Sequence, residues 1–156
     1  MLEIRPATTS DDIAAVRRLF RAYAPEVGST LCFQGFDAEM AGLPGAYASP
    51  AGRLLVAWQG TDAIGCVALR ALRADACEMK RLFVHASARG NGLGRRLAER
   101  VCDEARDAGY ARMFLDTLPS MIAARQLYEM LGFVTTGPYS PDPTPDAIYM
   151  MRDLTK

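Results

Sequence analysis

A glycine-rich loop flanked by arginines is the segment of the chain best suited to chemistry. It reads Arg89-Gly90-Asn91-Gly92-Leu93-Gly94-Arg95-Arg96 and falls between a predicted strand and a predicted helix. Glycine lets the backbone approach a ligand closely, and a helix N-terminus offers unpaired N–H groups and a favourable dipole. The arginines add charge-assisted donors. The pattern predicts a phosphate-binding loop; the alternative is a Gly-rich turn that merely starts a helix.

Two common phosphate-binding motifs do not fit this loop. A Walker loop needs Lys and then Ser or Thr after its last glycine, whereas Arg95 follows Gly94 here. A dinucleotide-binding loop needs a third glycine at position 95, and the chain beyond it is too short for a full doubly wound sheet. Nucleoside triphosphates and nicotinamide cofactors are therefore poor candidates for the ligand.

Three motifs in order resemble the GNAT family of N-acetyltransferases. Arg89, Gly92 and Gly94 match the family's acetyl-coenzyme A motif, [RQ]-x-x-G-x-[GA], which follows a strand and opens a helix. Residues 78–84 resemble the strand that precedes this loop, and residues 123–133 resemble the family's A-x-x-L-Y-x-x-L-G-F segment. The resemblance covers nearly the whole chain and implies acetyl-coenzyme A as the co-substrate.

The resemblance also indicates which residues bind this co-substrate. The pyrophosphate is expected on backbone N–H groups of the loop, while the Leu82 amide faces the thioester carbonyl and Val84 holds the pantetheine arm. Many family members carry Asn shortly after the strand that ends here at Asp116; this chain has Thr117 and Ser120 instead, and either could supply that bond. The predicted cofactor-binding residues are Leu82, Phe83, Val84, Arg89, Gly90, Asn91, Gly92, Leu93, Gly94, Arg95 and Ser120.

Glu78, on the strand before the loop, is a candidate catalytic base. It lies four residues before Leu82, so the two-residue period of a strand predicts that both side chains face the same side. It also resembles the position at which several family members keep a catalytic glutamate, which would accept the proton of the attacking ammonium. The alternative is a surface glutamate in an ion pair with Lys80 or Arg81.

Tyr128 is a candidate catalytic acid. It stands at the tyrosine of the family's A-x-x-L-Y-x-x-L-G-F segment. A phenol with a pKa near 10 can protonate an alkyl thiolate with a pKa near 8.5 at an uphill cost of about 1.5 units. The alternative is a core aromatic residue on the side of Leu127 and Leu131.

The single histidine and the four cysteines are predicted to have no catalytic role. His85 stands alone at the start of a loop, with no partner identifiable from the sequence. The cysteines have no metal-like spacing and resemble small buried hydrophobic residues with reduced thiols: Cys32, Cys66, Cys77 and Cys102. Because one histidine excludes two-histidine sites, no metal is expected.

The segments that must position these residues predict a mixed α/β (α+β) fold. Alternating and β-branched runs predict strands, and apolar residues at helical spacing predict helices. The predicted strands are 2–6, 53–59, 63–72, 77–84, 113–116, 133–136 and 148–152; the predicted helices run from Thr9 to before Pro25, near 37–43, from Leu93 to the stop at Gly109, and over 121–131. Together with the resemblance, they indicate one domain over residues 1–156, with a mostly antiparallel, partly splayed sheet of six or seven strands and about four helices.

Charge and hydropathy exclude several classes of partner. Lys plus Arg and Asp plus Glu both number 18, and nucleic-acid binding needs a basic excess that is missing here. No apolar run approaches the roughly 20 residues that span a bilayer, and the N-terminus carries no targeting pattern. We therefore expect a cytoplasmic protein with neither nucleic-acid nor membrane partners.

The residues and the resemblance together predict an enzyme that N-acetylates a primary amine of a small molecule or peptide by direct attack in a ternary complex. The alternative is a non-catalytic acyl-coenzyme A sensor. The joint presence of Glu78 and Tyr128 favours the enzyme, because binding alone requires neither. Residues 24–50 and 137–147, with their aromatic and acidic side chains, are expected to border the acceptor. The acceptor stays open, as does a homodimer, which is common in the family.

Overall fold

The computed structural model describes residues 2–27, 36–140 and 146–156, without the side chains at 26 and 27. Cys32 and parts of the two segments expected to border the acceptor, including Phe33, Asp142 and the Glu26 side chain, lie outside the described residues. Within them the chain forms seven strands and four α-helices. In chain order these are β1 (Leu2–Pro6), α1 (Ser10–Val27), α2 (Phe36–Ala41), β2 (Arg53–Gln59), β3 (Asp62–Arg73), β4 (Ala76–Val84), α3 (Leu93–Asp107), β5 (Arg112–Thr117), α4 (Ile122–Met130), β6 (Val134–Thr136) and β7 (Ile148–Asp153).

The seven strands form one sheet in the order β1-β2-β3-β4-β5-β7-β6. Every neighbouring pair is antiparallel except β4 and β5, which run parallel with α3 as their crossover. The predicted mixed fold with a mostly antiparallel sheet is confirmed. Among the described helices, none has the length and apolar character needed to cross a bilayer.

Strands β4 and β5 separate soon after they meet. Their pairing runs from Ala76 opposite Arg112 to Glu78 opposite Phe114 and goes no further. The later residues of β4 keep their ladder with β3 but not with β5. The sheet therefore opens into a cleft between the two strands, which confirms the predicted splay.

A bulge at Arg81 reverses the alternation of side chains along β4. Arg81 has φ of 61°, and the register with β3 shifts there, so that Lys80 lies opposite Ala68 and Phe83 opposite Cys66. Before the bulge, odd-numbered residues such as Met79 face α3, and after it even-numbered residues such as Leu82 do. Consequently the even-numbered residue before the bulge, Glu78, points to the opposite side of the sheet from Leu82.

The prediction that Glu78 and Leu82 share a face is therefore wrong. It assumed an unbroken two-residue period, which one extra residue in the strand shifts by a full face. Leu82 packs with the core on the α3 and α4 side, whereas Phe83 belongs to the core on the α1 and α2 side. These two cores cover the two faces of the sheet.

Helix α3 is held to the sheet by a single apolar stripe. Leu93, Leu97, Val101 and Ala105, spaced four residues apart, are all buried against the sheet. Gly109, with φ of 93°, follows the end of the helix as the sequence predicts. This packing fixes the N-terminus of α3 beside the end of β4, where the glycine loop must lie.

Helix α1 begins as the sequence predicts but ends later. The Thr9 hydroxyl accepts from the Asp12 amide, and the Asp12 carboxylate accepts from the Thr9 amide, which together form a capping box. The predicted end before Pro25 is wrong, because the helix continues to Val27. Pro25 stands in the last turn, so the bond that its missing N–H cannot form is lost only near the end of the helix. The other element bounds differ from prediction by one or two residues.

Candidate active site

A groove of about 560 Å³ runs between the end of β4, the glycine loop and the start of α4. It brings together most of the residues that the sequence assigned to the cofactor. These are Leu82, Phe83, Val84, Arg89, Gly90, Gly92, Leu93, Gly94 and Ser120, joined by Tyr23, Ala88, Met121, Ile122, Ala123, Ala124 and Leu127. The last group was missed because it is apolar and resembles ordinary helix surface in the sequence.

The glycines of the loop present only backbone atoms to this groove. Gly90 and Gly92 have φ of 89° and 76°, and a Cβ added at either would meet no protein atom within 4 Å. Gly92 is the N-cap of α3 and offers no capping side chain, so the first N–H groups of the helix are left for a ligand. This geometry is suited to an anion approaching along the helix axis.

Two of the three arginines of the loop, Arg89 and Arg95, have protein partners. Arg89 donates from Nε to the Val84 carbonyl oxygen at 2.8 Å, and its guanidinium lies 5.6 Å from the centre of the Phe83 ring. Arg95 pairs with Glu99 at 2.7 Å on the exposed side of α3. Neither Arg95 nor Asn91 lines the groove. Anion binding in this loop therefore depends on the backbone more than on these side chains.

A small cavity of about 30 Å³ occupies the cleft between the splayed strands. Its lining is Tyr23, Met79, Lys80, Arg81, Leu82, Leu115, Asp116, Thr117, Met121 and Tyr128. It shares Tyr23, Leu82 and Met121 with the groove, so the two spaces adjoin at Leu82. A volume of this order holds about one water molecule or one methyl-sized group.

Tyr128 has features both of a core aromatic residue and of a residue of the site, the two interpretations that the sequence left open. Its side chain is 7% exposed and its ring lies 5.8 Å from that of Phe133, as a core residue would. It also lines the cleft cavity. Burial, followed by the neighbouring Tyr23 and Asp116, raises the pKa of Tyr128 well above 10. The phenol therefore stays protonated at neutral pH.

Glu78 is buried on the α1 and α2 side of the sheet, and each of its carboxylate oxygens accepts a hydrogen bond. Its side chain is 5% exposed; Oε1 accepts from Arg70 Nε at 2.8 Å, and Oε2 accepts from the Tyr139 hydroxyl at 2.5 Å. The interpretation as a surface glutamate paired with Lys80 or Arg81 is therefore wrong. The register of β3 with β4 places Arg70 directly opposite Glu78, which explains the actual partner.

Comparison with known proteins now bears on this arrangement. The acetyltransferase (GNAT) family profile matches residues 13–133. This chain belongs to the GNAT acetyltransferase family. An uncharacterized N-acetyltransferase of Schizosaccharomyces pombe is 37% identical over 99% of this chain and 96% of its own length. An IAA acetyltransferase of Azospirillum brasilense is 38% identical over 69% of this chain and 71% of its own.

Solved structures of acetyltransferases share the fold. One from Streptococcus agalactiae superimposes with a TM-score of 0.83 at 21% identity, covering 97% of this chain and 98% of its own. A putative acetyltransferase from Salmonella typhimurium, solved with acetyl-coenzyme A, superimposes with a TM-score of 0.77 at 23% identity, covering 98% and 94% of the two chains. The seven-stranded sheet with its splay is thus the fold of this acetyltransferase family.

Arg81 lines the acetyltransferase cleft, although the sequence indicated it only as a surface ion-pair partner of Glu78. Its side chain is 2% exposed and forms two bonds of 2.9 Å to the Glu39 carboxylate. The guanidinium also lies within about 6 Å of three aromatic ring centres, those of Phe20, Tyr23 and Phe36. This buried ion pair connects α2 to the bulge beside Leu82. Its favourable free energy offsets the cost of the left-handed backbone conformation of Arg81.

Both residues that could replace the usual pantetheine-binding Asn reach the site. Ser120 lines the groove and is exposed. Thr117 is buried, lines the cleft, and directs its hydroxyl to the Met121 sulfur at 3.6 Å. Exposure beside the groove favours Ser120 as the donor to an incoming amide.

The contacts of the histidine and of the described cysteines are those typical of structural residues. The His85 ring accepts from the Ser87 amide at 3.3 Å and caps a short turn that begins at Ala86. Cys66, Cys77 and Cys102 are free and buried, and burial raises the pKa of both Cys66 and Cys77 to about 12. Among the described residues, these thiols are therefore poor nucleophiles.

Proposed function

We propose that this acetyltransferase moves the acetyl group of acetyl-coenzyme A directly to a primary amine of a small molecule or peptide, within a ternary complex. The observation that carries the proposal is the junction of groove and cleft at Leu82. The groove is large enough for the long coenzyme, and the cleft cavity is of the size of the methyl end of an acetyl group. The amine would reach the thioester from the α1 and α2 side of the opened sheet.

The residues of the groove fit acetyl-coenzyme A. The first turn of α3 and the positive-φ backbone at Gly90 and Gly92 suit the pyrophosphate. Ile122, which is 60% exposed, and Leu127 provide an apolar wall for the pantetheine arm. The edge of β4 that β5 leaves unpaired offers backbone groups to the amides of the arm.

Leu82 and Tyr128 would stabilise the two negative charges that develop during transfer. As the amine attacks the carbonyl carbon, negative charge grows on the carbonyl oxygen, where a fixed Leu82 N–H is worth about 3 to 4 kcal/mol in the barrier. The C–S bond then breaks, and the departing thiolate takes the proton of the Tyr128 hydroxyl. Burial raises the pKa of Tyr128. The same burial also raises the pKa of the departing thiol, which keeps the transfer feasible.

Glu78 would remove the proton from the amine. An alkyl ammonium with a pKa near 10.4 leaves only about one molecule in 10³ as free base at neutral pH. Glu78 lies at the base of the cleft, on the side of the sheet covered by α1 and α2, and it is bonded to the half-buried Tyr139. These contacts support a role toward the acceptor and not toward the coenzyme.

Changing Glu78 to Gln should lower turnover by about 10² at neutral pH, because the isosteric amide cannot accept the proton. The defect should shrink as pH rises and free amine becomes abundant. Initial rates across pH, with the Kd for acetyl-coenzyme A as a binding check, measure this effect. Glu104→Gln is the matched control. Glu104 lies on α3, away from the cleft, and pairs with Arg53 of β2 and Arg100 of α3. If the rate of the Glu78→Gln variant equals that of the parent at every pH, Glu78 is not the base.

The enzyme and the sensor differ in one observable, the release of free thiol. A panel of primary amines, from amino acids and polyamines to peptide N-termini, is incubated with protein and acetyl-coenzyme A. The enzyme releases coenzyme A thiol with at least one amine, in excess over protein. A sensor binds the coenzyme and releases thiol with none. A cytoplasmic location and a homodimer stay predictions from the sequence.

A further inference from the structure

We infer that Tyr139 relays the proton of the acceptor amine to Glu78. The inference rests on the proposed function and starts from one contact, the 2.5 Å bond from the Tyr139 hydroxyl to Glu78 Oε2. Tyr139 follows β6, in the segment that joins it to β7, and lies far from Glu78 in the sequence. The fold therefore brings a hydroxyl onto the only carboxylate assigned to catalysis.

Access to Glu78 depends on the two groups that are bonded to its oxygens. With its side chain 5% exposed, the carboxylate offers an incoming amine little direct approach. Arg70 holds Oε1, but a guanidinium cannot accept a proton at any accessible pH. Tyr139 holds Oε2, is only half-buried, and has a hydroxyl that both donates and accepts. Of these two groups, only Tyr139 can pass a proton inward.

The ring of Tyr139 is held against β5 and β7 by two aromatic contacts. It lies 5.0 Å from the Phe114 ring and meets the Tyr149 ring edge-on at 5.6 Å. Tyr149 is the strand partner of Asp116, and Asp116 lines the cleft. Aromatic contacts on two strands thus hold the hydroxyl in place without using it.

Charged groups from several strands surround this relay. Arg70 faces Glu78 from β3, and the Arg73 guanidinium, also on β3, lies 5.3 Å from the Phe114 ring centre. Lys80 on β4 and Asp116 on β5 line the adjoining cleft. Of these groups, Arg70 is the one bonded directly to the Glu78 carboxylate.

The proton transfer balances without any added reactant. The ammonium N–H proton moves to the Tyr139 oxygen while the Tyr139 O–H proton moves to Glu78 Oε2. The products are a neutral amine, a neutral tyrosine and a protonated Glu78. After the amide product leaves, the same path in reverse returns the proton to solvent. Tyr139 never carries a full charge, so its pKa need not match that of the amine.

Tyr139→Phe tests the relay, because the ring contacts with Phe114 and Tyr149 survive while the hydroxyl is lost. We expect kcat/KM for the amine to fall about tenfold to a hundredfold at neutral pH, with an unchanged Kd for acetyl-coenzyme A. The defect should shrink as pH rises. Tyr110→Phe is the control: it also deletes a bonded tyrosine hydroxyl, the one that donates to the Ala51 carbonyl oxygen at 2.7 Å, but remote from the cleft.

The double variant Glu78→Gln/Tyr139→Phe separates a relay from an independent effect. If both residues act in one path, the double variant should be no slower than Glu78→Gln alone. Multiplied defects would overturn the relay, as would a Tyr139→Phe enzyme as active as the parent across pH. Failure of the proposed function gives a different result. The parent protein itself would then release no thiol with any amine, and the relay would be overturned together with the proposed function.

Discussion

Gly92→Val should weaken acetyl-coenzyme A binding by about 10³-fold or more while the protein stays folded. A side chain at Gly92 would project into the open space where the pyrophosphate is proposed to lie. It would block at least two charge-assisted bonds from the first turn of α3, worth about 2 kcal/mol each, which together correspond to roughly that loss in Kd. Calorimetric titration with acetyl-coenzyme A measures the change.

Gly109→Val provides the matched control for backbone strain. Gly92 and Gly109 flank the two ends of α3, both have positive φ, and a Cβ at either meets no protein atom within 4 Å. A branched residue in this conformation costs about 1 to 2 kcal/mol of stability at both positions. Only Gly92→Val should lose the coenzyme. If it binds like the parent, the groove is not the pyrophosphate site.

Tyr128→Phe should lower kcat by about 10² with little change in the Kd for acetyl-coenzyme A. The ring and its packing against Phe133 remain, and only the proton donor is lost. The defect should shrink at low pH, where solvent protons can serve the thiolate. It should also be smaller with an acyl donor whose leaving thiol is more acidic. Because burial raises the pKa of Tyr128, its own ionisation contributes nothing to the pH profile near neutrality.

A purely structural Tyr128 predicts the reverse pattern. Phe would then be tolerated or stabilising, and only Tyr128→Ala would be harmful, through a cavity worth about 3 to 5 kcal/mol of unfolding free energy. Thermal denaturation of both variants separates stability from catalysis. Full activity in folded Tyr128→Phe would leave water as the proton donor.

The parts of the fold that follow from local patterns could be predicted from the sequence. The apolar stripe of α3 and the glycines at its two ends lie within one stretch of chain, and the glycine loop was correctly placed before the helix. The splayed sheet followed from the resemblance of three motifs to one family. The end of α1 was missed because the sequence pattern treats a proline as a strict stop, whereas the helix continues through Pro25 to Val27.

The surroundings of the proposed base could not be predicted, because they depend on pairings across the sheet. Tyr139 and Glu39 meet β4 from positions remote in the chain, and no spacing rule relates them to Glu78 or Arg81. Arg70 lies only eight residues before Glu78, but its pairing depends on the register of β3 with β4. The bulge itself depends on one residue with positive φ that is not glycine. A single unmarked insertion thus placed Glu78 on the face of the sheet opposite to that of Leu82, where an unbroken strand period predicts the same face.

A single turnover with acetyl-coenzyme A labelled in its acetyl group tests direct transfer at the cleft. Protein in slight excess is mixed with the labelled coenzyme and the best amine from the panel, and the label is located by mass spectrometry. We predict that all of the label lies on the amine nitrogen and none on the protein at any time. Label on the protein would indicate a covalent intermediate, label in free acetate a hydrolase, and label left on the coenzyme a sensor; each of these results would contradict direct transfer to an amine.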